Sequence, residues 1–247
     1  MQVNEFARDQ MAGSGPTAVL FCHGLTASPW TLREWAQATE RGGFTVSVPR
    51  LPGHGTTWQE LTISDWRDWY ARVEREFLLL RRTHRRVFVA GISMGAALAL
   101  KLAEQHPDDV AGLVLVNPAV QGYPKLALVP FIKYLMPTAN GMDSEISLPG
   151  GFDHSYPQTP LRTVQSMMQL SSEVRSCLDL VHCPLLVFRS DIDLVVPGSS
   201  TDVVLRQVSS TEIQLRPLTR SGHVATKDYD ADQIFAESLD FFDRHDQ

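Results

Sequence analysis

The most constraining feature of this chain is the segment Gly91-Ile92-Ser93-Met94-Gly95, in which a serine stands between two glycines. Residues 86–90 before it are apolar and β-branched and predict a buried strand, whereas residues 96–105 after it are rich in Ala and Leu and predict a helix. Glycines at these two positions permit a tight, strained turn in which a Cβ would collide with the neighbouring strand or helix. The pattern therefore predicts that Ser93 is presented on a sharp turn at the carboxyl end of a strand.

Segments with strand-like and helix-like patterns alternate along most of the chain. Runs rich in apolar and β-branched residues predict further strands at residues 17–22, 44–48, 110–116, 184–189 and 212–216. Apolar residues at helical spacing predict helices at residues 30–41, 62–81 and 231–244. Strands separated by helices favour an α/β fold with a mostly parallel, doubly wound sheet, whose functional residues gather at the carboxyl ends of the strands.

Residues 119–183, whose first half is rich in proline, break this alternation. We expect them to form a small cap over the carboxyl edge of the sheet, while residues 1–118 and 184–247 form the core domain. Some apolar side chains of the cap should only hold it together, and others should line a substrate pocket. The pocket candidates from both parts of the chain are His23, Phe131, Ile132, Leu135, Met167, Leu170, Val195 and Val224.

Two later segments supply the groups that a reactive serine needs. A serine hydroxyl is a poor nucleophile near neutral pH, so it requires a base, and the base requires an orienting carboxylate. Asp193 and His223 each follow a predicted strand, in the chain order that accompanies a serine on a strand-to-helix turn. Asp191 competes for the acid role, but it suits a turn, whereas Asp193 directly precedes the run Leu194-Val-Val-Pro197. The predicted catalytic residues are Ser93, Asp193 and His223.

The segment His23-Gly24-Leu25 directly follows the first predicted strand. Gly24 allows the backbone to turn so that an N–H group can point at a developing oxyanion. We expect the backbone N–H groups of Leu25 and Met94 to be the two donors, and Met94 also opens a helix whose dipole favours negative charge. His23 is expected to shape this loop rather than to act as a base.

Composition excludes several classes of function. A length of 247 residues fits one α/β domain with an insertion, and the net charge of −6 without a basic block argues against nucleic acid as a partner. No run of about 18 apolar residues predicts a membrane span, and residues 1–15 lack the apolar centre of a signal peptide. Three cysteines without metal-ligand spacing favour a reduced, cytoplasmic protein and predict no metal site. The oligomeric state stays open.

Five motifs in one order carry a resemblance to a known family. The segments are His23-Gly-Leu-Thr-Ala-Ser-Pro29, Leu51-Pro-Gly-His-Gly55, Gly91-Ile-Ser-Met-Gly95, Ser190-Asp-Ile-Asp-Leu-Val-Val-Pro197 and Gly222-His-Val-Ala-Thr226. From about Thr17 onward, the chain resembles the small bacterial carboxylesterases and monoacylglycerol lipases of the α/β-hydrolase superfamily. The cap is the least similar segment, and Leu25 stands where the relatives usually carry Phe.

The resemblance implies an α/β-hydrolase fold with a small inserted cap and a sheet that lacks some of the first strands of larger relatives. It also implies that Ser93, Asp193 and His223 form a catalytic triad with Leu25 and Met94 as oxyanion donors. The substrate would be a small-molecule ester or lipid, and monoacylglycerols or other monoesters of medium or long chains are favoured. No metal or organic cofactor would be needed.

Other functions stay open at this point. Ser93 argues against the epoxide hydrolases and haloalkane dehalogenases, which carry an aspartate at the same turn. A general short-chain carboxylesterase is the main alternative. An acyltransferase, a perhydrolase side activity and a non-enzymatic receptor on the same scaffold are less favoured, and turnover of p-nitrophenyl butyrate would separate the receptor from the enzymes.

Overall fold

The strand-like segments form one mostly parallel sheet. The computed structural model describes residues 3–140 and 146–246. Within these ranges the strands are β1 (Gln10–Ala12), β2 (Thr17–Cys22), β3 (Thr45–Val48), β4 (Arg86–Ile92), β5 (Val110–Val116), β6 (Thr138–Asn140), β7 (Gln158–Pro160), β8 (Leu185–Ser190) and β9 (Ile213–Leu218). The main sheet has the order β1-β3-β2-β4-β5-β8-β9, and β6 and β7 form a separate antiparallel ribbon. Only β1 pairs antiparallel in the main sheet, with β3.

Helices cover both faces of this sheet. They are α1 (Arg33–Arg41), α2 (Trp58–Leu61), α3 (Trp66–Thr83), α4 (Met94–Gln105), α5 (Val129–Ile132), α6 (Leu161–Arg175), α7 (Gly198–Gln207) and α8 (Ala231–His245). Buried side chains of α1 and α8 form the core on one face, and those of α3, α4, α6 and α7 form the core on the other. No helix of the described residues has the length and apolar composition that crossing a bilayer requires.

Strand β2 shows why the buried strands read as continuous apolar runs. Successive side chains of a strand point to opposite faces, so Ala18, Leu20 and Cys22 pack on the α3–α4 face while Val19 and Phe21 pack on the α1–α8 face. Both faces are covered, and every residue of β2 is therefore buried. The predicted doubly wound parallel sheet is confirmed.

Helix α4 lies at the centre of the α3–α4 face. Its residues from Met94 to Glu104 are all buried, because α3, α6 and strands β2, β4 and β5 surround it. A helix that is apolar on all sides belongs in such a position. The burial holds the amino end of α4, and with it the turn at Ser93, against the sheet.

Residues 119–183 form an irregular layer that contains α5, α6 and the β6–β7 ribbon. Positions 141–145 of this predicted cap lie outside the described residues. Leu170 and Val174 of α6 belong to the same core cluster as α3 and α4, so part of the layer packs as closely on the core as the neighbouring helices do. The division of the chain into core and cap stays a prediction.

Candidate active site

Ser93 occupies the turn between β4 and α4 in a strained backbone conformation. Its φ is 56° and its ψ is −120°, outside the regions that non-glycine residues favour. The strain is held by hydrogen bonds on both sides, because Ser93 N–H donates to Val116 O over 2.9 Å and Ser93 O accepts from Ala119 N–H over 3.2 Å. Thr26 and Asn117, the other non-glycine residues with positive φ among those described, also follow central strands. Backbone strain is therefore concentrated at one edge of the sheet.

The two flanking glycines are required by close backbone contacts. A Cβ on Gly95 would lie 1.9 Å from Cys22 O, and a Cβ on Gly91 would lie 2.5 Å from the carbonyl carbon of Gly95. Any side chain at Gly95 would push α4 away from the end of β2. The sequence-based reason for glycine at these positions is confirmed.

His223 and Asp193 meet at the carboxyl ends of β9 and β8. His223 Nδ1 lies 2.8 Å from Asp193 Oδ2, and both side chains are buried. The other carboxylate oxygen, Asp193 Oδ1, accepts hydrogen bonds from Val195 N–H and Val196 N–H over 2.8 and 2.9 Å. Asp191, the alternative acid, is exposed. The geometry thus brings together His223 and Asp193 and keeps Asp191 apart.

Asn117 ties the loop of His223 to two strand ends. Its Nδ2 donates to His223 O over 2.9 Å and to Ser190 Oγ over 3.0 Å, while its Oδ1 accepts from Ser190 N–H. Ser190 Oγ in turn donates to Gly222 O over 2.9 Å. The ends of β5 and β8 and the loop after β9 are thereby joined by side chains that sequence reasoning did not identify.

Two buried carboxylates fix the same loop from the other side. Asp228 accepts from Gly222 N–H over 2.8 Å, and it also accepts from Ser147 N–H and Leu148 N–H over 2.6 and 2.8 Å. Asp230 accepts from Arg220 N–H and Ser221 N–H. Asp228 thus connects the residue before His223 to residues 147–148 of the predicted cap.

His23 is a structural residue of the loop after β2. It is fully buried, and Leu51 N–H donates to its Nε2 over 3.2 Å. This bond leaves the proton on Nδ1, which lies 3.0 Å from Gly24 O. Burial lowers the pKa of His23 to about 4, so the ring is neutral at pH 7. His23 therefore shapes the loop, as expected, and is not among the residues that line the cavity described next.

A cavity of about 560 Å³ opens beside Ser93 and His223. Leu25 lies on its wall and Gly24 packs against Ser93, since a Cβ on Gly24 would be 3.6 Å from Ser93 Cβ. Met94 is the first residue of α4, so its N–H has no partner within the helix. The apolar part of the wall comes mainly from Leu126, Ala127, Val129, Leu161, Val164, Met167, Met168, Leu194, Val195, Val196 and Val224.

The pocket candidates divide into three groups. Met167, Val195 and Val224 line the cavity. Leu170 instead points into the core and is fully buried. Phe131, Ile132 and Leu135 do not line it; they are 74%, 37% and 86% exposed.

These departures from expectation follow from the geometry of α5 and α6. In a helix, residues three or four apart share a face, whereas residues two apart do not. Val129 at the start of α5 is buried and lines the cavity, and Phe131, two residues later, is exposed. Ile132 is the last residue of α5 and is only partly exposed, but it does not reach the cavity wall. On α6 the cavity face carries Val164, Met167, Met168 and Ser171, whereas Leu170 packs into the core. Helical spacing from Met168 would have found Val164 and Ser171 and left out Leu170, two residues away.

Two charged side chains, Asp153 and Arg175, also line the cavity. Asp153 is buried, and its carboxylate accepts from Thr31 Oγ over 2.7 Å and from Ser155 Oγ over 2.6 Å. Arg175 lines the wall elsewhere. Within the part of the chain that the structure describes, no group of three or more His, Cys, Asp or Glu side chains is arranged to hold a metal ion.

Comparisons with known proteins identify relatives over nearly the full length of the chain. The chain is 37% identical over 241 residues to the thermostable monoacylglycerol lipase of Bacillus sp. (strain H-257), covering 95% of this chain and 93% of that protein. It is 25% identical over 236 residues to a carboxylesterase of Bacillus subtilis (strain 168), covering 94% of each chain.

Solved structures include proteins of closely similar fold. A structure from the work on LipS and LipT, two metagenome-derived lipolytic enzymes, superposes with a TM-score of 0.96 at 34% identity, over 99% of this chain and 100% of that chain. A soluble variant of monoglyceride lipase from Saccharomyces cerevisiae superposes with a TM-score of 0.82 at 15% identity, over 99% of this chain and 96% of that chain, and shares the fold. The family model described as the alpha/beta hydrolase family matches residues 19–237. The chain therefore belongs to the alpha/beta hydrolase family.

Proposed function

We propose that this chain hydrolyses monoacylglycerols and similar monoesters, with Ser93 as nucleophile, His223 as base and Asp193 as the acid that orients it. The observation that carries the proposal is that Ser93 and His223 line one largely apolar cavity, and that His223 is hydrogen-bonded to Asp193. A cavity of about 560 Å³ lies within the usual range for small-molecule sites.

The first half of the proposed reaction forms an acyl-enzyme. Ser93 Oγ attacks the ester carbonyl carbon while His223 Nε2 accepts the hydroxyl proton, and the carbonyl electron pair moves to oxygen. Asp193 holds the proton on Nδ1, which keeps Nε2 basic, and stabilises the imidazolium that forms. The bond to the leaving alcohol then breaks as His223 returns the proton to the alcohol oxygen.

The tetrahedral oxyanion would be bound by the backbone N–H groups of Leu25 and Met94. Donors of this kind each contribute about 2.7–4 kcal/mol in well-studied hydrolases. Met94 also opens the 12-residue helix α4, whose dipole favours negative charge at this end. In the second half of the reaction, water takes the place of Ser93 Oγ as nucleophile and the acid is released.

Asp153 is the carboxylate of the cavity wall nearest in contacts to the segments of the proposed site. It accepts a hydrogen bond from Thr31, whose backbone carbonyl accepts a hydrogen bond from Thr226, three residues after His223. A carboxylate on the wall can accept hydrogen bonds from a polyol, and the glycerol group is assigned to Asp153.

Relatives support this reading. This chain is a carboxylic ester hydrolase, because its relatives over nearly the full length are a monoacylglycerol lipase and a carboxylesterase. The relative with the higher identity is the one that is named for monoacylglycerols. The apolar wall contributed by residues 119–183 suits an acyl chain, since each buried CH₂ adds about 0.8 kcal/mol.

The decisive experiment is steady-state hydrolysis of 1-monolauroylglycerol beside methyl laurate, which share one acyl chain and differ in the alcohol. A clearly higher kcat/KM for monolauroylglycerol is expected, and Ser93→Ala should abolish both activities. Asp153→Asn should lower the preference about tenfold while hydrolysis of methyl laurate is retained, because one acceptor for the glycerol hydroxyls is lost.

Each other outcome has a defined meaning. Equal kcat/KM values for the two esters would make the protein a general carboxylesterase that recognises only the acyl chain. Activity that persists in Ser93→Ala would overturn the assignment of the nucleophile. Binding of monolauroylglycerol without turnover by the unmodified protein would favour a receptor.

A further inference from the structure

Arg175 places a cation on the cavity wall. It is the last residue of α6 and is half-buried, and its Nη1 donates a hydrogen bond to Val120 O. Among the described residues, no carboxylate lies within ion-pair distance of its guanidinium. Asp153 is the acidic side chain among the described residues of the wall, and it accepts hydrogen bonds from Thr31 and Ser155.

The backbone that holds Arg175 is fixed. Val120 N–H and Gln121 N–H both donate to Ser200 Oγ over 2.9 Å, and Ser200 Oγ donates to Pro118 O over 2.6 Å. Ser200 is itself fully buried at the start of α7. The acceptor of the Arg175 hydrogen bond is therefore rigid, and the guanidinium is held in place before any ligand binds.

A chain of contacts locates Arg175 relative to Ser93. Ala119 N–H donates to Ser93 O over 3.2 Å, and Ser171 Oγ donates to Ala119 O over 2.8 Å. Arg175 follows Ser171 by one helical turn, a rise of about 6 Å along α6. Ala119, Ser171 and Arg175 all line the cavity, and the guanidinium is hydrogen-bonded to the residue that follows Ala119.

A purely structural role does not account for this placement. A basic residue in the last turn of a helix interacts favourably with the helix dipole, and an exposed lysine or arginine serves that purpose. Arg175 instead lines the cavity, on the same face of α6 as Met168 and Ser171. A guanidinium in such surroundings suits a carboxylate, which it can bind through two parallel hydrogen bonds.

We propose that Arg175 binds an anionic group at the far end of the acyl chain, so that the enzyme also accepts monoesters of dicarboxylic acids. This inference rests on the proposed ester hydrolysis at Ser93. The ester C–O bond is cleaved by water as before, and the terminal carboxylate is unchanged by the reaction. Asp153 repels an anion, which favours the orientation with the carboxylate towards Arg175.

The test compares esters that differ only at the far end of the acyl chain. Methyl esters of monocarboxylic acids with 6 to 12 carbons are paired with monomethyl esters of dicarboxylic acids of equal length. At one or more chain lengths, the dicarboxylic monoester should have a kcat/KM that equals or exceeds that of the monocarboxylic ester of equal length. Arg175→Gln should lower that value about tenfold or more through KM and leave the monocarboxylic ester within about threefold.

Controls separate charge recognition from effects on folding. Arg206→Gln removes an exposed arginine of α7 and changes the net charge by the same amount as Arg175→Gln. It should leave kcat/KM for both esters unchanged. Arg175→Lys should restore part of the activity on the dicarboxylic monoester. Raised ionic strength should increase KM for the dicarboxylic series alone in the unmodified enzyme, a readout that does not depend on any variant folding.

Three results would overturn the inference. The first is rejection of every dicarboxylic monoester by the unmodified enzyme, and the second is an equal loss of both ester series in Arg175→Gln. The third is absence of any ester hydrolysis, or activity that survives Ser93→Ala, which would remove the proposed function as well. In the first two cases hydrolysis of the monocarboxylic esters, abolished by Ser93→Ala, would leave the proposed function standing.

Discussion

The parallel core and residues 119–183 use apolar side chains in different ways. In the core, β2 and its neighbours β3 and β4 are covered on both faces, and every apolar residue of these three strands is buried. In residues 119–183 the same kind of residue has three separate fates. Leu170 packs into the core, Met167 lines the cavity and Leu135 is 86% exposed.

The difference follows from the number of environments that each region offers. A sheet between two helical layers offers one environment to its side chains, so hydrophobicity alone determines their position. Residues 119–183 have side chains that face the core, side chains that face the cavity and side chains that face water. Hydrophobicity does not distinguish the first two, and exposed apolar residues are common on protein surfaces.

The largest effect on activity should come from a substitution of Ser93, at the end of a core strand. Ser93→Ala should reduce kcat for p-nitrophenyl butyrate by about 10⁶-fold, since loss of the serine disables the whole catalytic group in comparable enzymes. The free energy of unfolding in urea should be unchanged, because the hydroxyl takes no part in core packing. Leu135→Ala is the matched change in the outer layer and should retain full activity on this substrate. Comparable losses in both variants would contradict the separation between the two regions.

The two neighbouring aspartates should differ sharply. Asp193→Asn should lower kcat about 10⁴-fold, because the imidazole would lose its orienting carboxylate. Asp191→Asn, two residues away and exposed, should stay within a few fold of the unmodified enzyme. Measurement of kcat for the two variants tests this prediction. A larger loss of kcat in Asp191→Asn than in Asp193→Asn would make Asp191 the orienting acid.

Measurements of unfolding free energy should distinguish the buried from the exposed apolar side chains of residues 119–183. Leu170→Ala should lower the free energy of unfolding by about 2–5 kcal/mol, as expected for a fully buried leucine in a packed core. Leu135→Ala should change it by less than about 0.5 kcal/mol, since that side chain is largely exposed. Urea titration of both variants tests the contrast within one segment. Equal losses would mean that the outer surface of this layer is covered in solution.

Acid should destabilise the core through His23. Burial lowers the pKa of this histidine to about 4 in the folded protein, against about 6.5 when unfolded. Between these values the unfolded chain binds a proton that the folded chain does not, so stability falls as the pH is lowered. The full contribution is about 3 kcal/mol, present above pH 6.5 and lost towards pH 4.

A variant pair tests the origin of that pH dependence. His23→Gln should flatten the change in unfolding free energy between pH 7 and pH 5, with a remaining slope from His54, whose pKa burial also lowers. His182→Gln, at an exposed position in residues 119–183, should leave the slope unchanged. If both variants keep the original slope, the buried histidine is not its source.

The fold and the candidate catalytic residues were predictable because their signals are local. The glycines around Ser93 reflect contacts of the turn with its own helix and with β2. Asp193 was preferred over Asp191 from its place after a strand and before an apolar run. Outside residues 119–183, the sequence missed β1, α2 and α7, which are short or carry mainly polar residues.

The supporting residues were not predictable from local patterns. Asn117 and Ser190 are 73 positions apart, and their hydrogen bond exists only because β5 and β8 are neighbours. Asp228 accepts from backbone groups about 80 positions earlier in the chain. Buried carboxylates bound to backbone N–H groups leave no periodicity in a sequence. The cavity wall was partly missed because the short helix α5 turns only one side inward.

The hydrogen bonds of Asn117 have a consequence for how the protein fails on heating. The groups proposed for catalysis lie on three separate loops, yet Asn117 and Ser190 join the ends of β5 and β8 to the loop of His223. A loop tied to central strands in this way cannot open by itself, so its cooperative unit is the sheet. Loss of esterase activity should therefore coincide with the melting of the sheet, and Asn117→Ala should let inactivation begin at a lower temperature than unfolding.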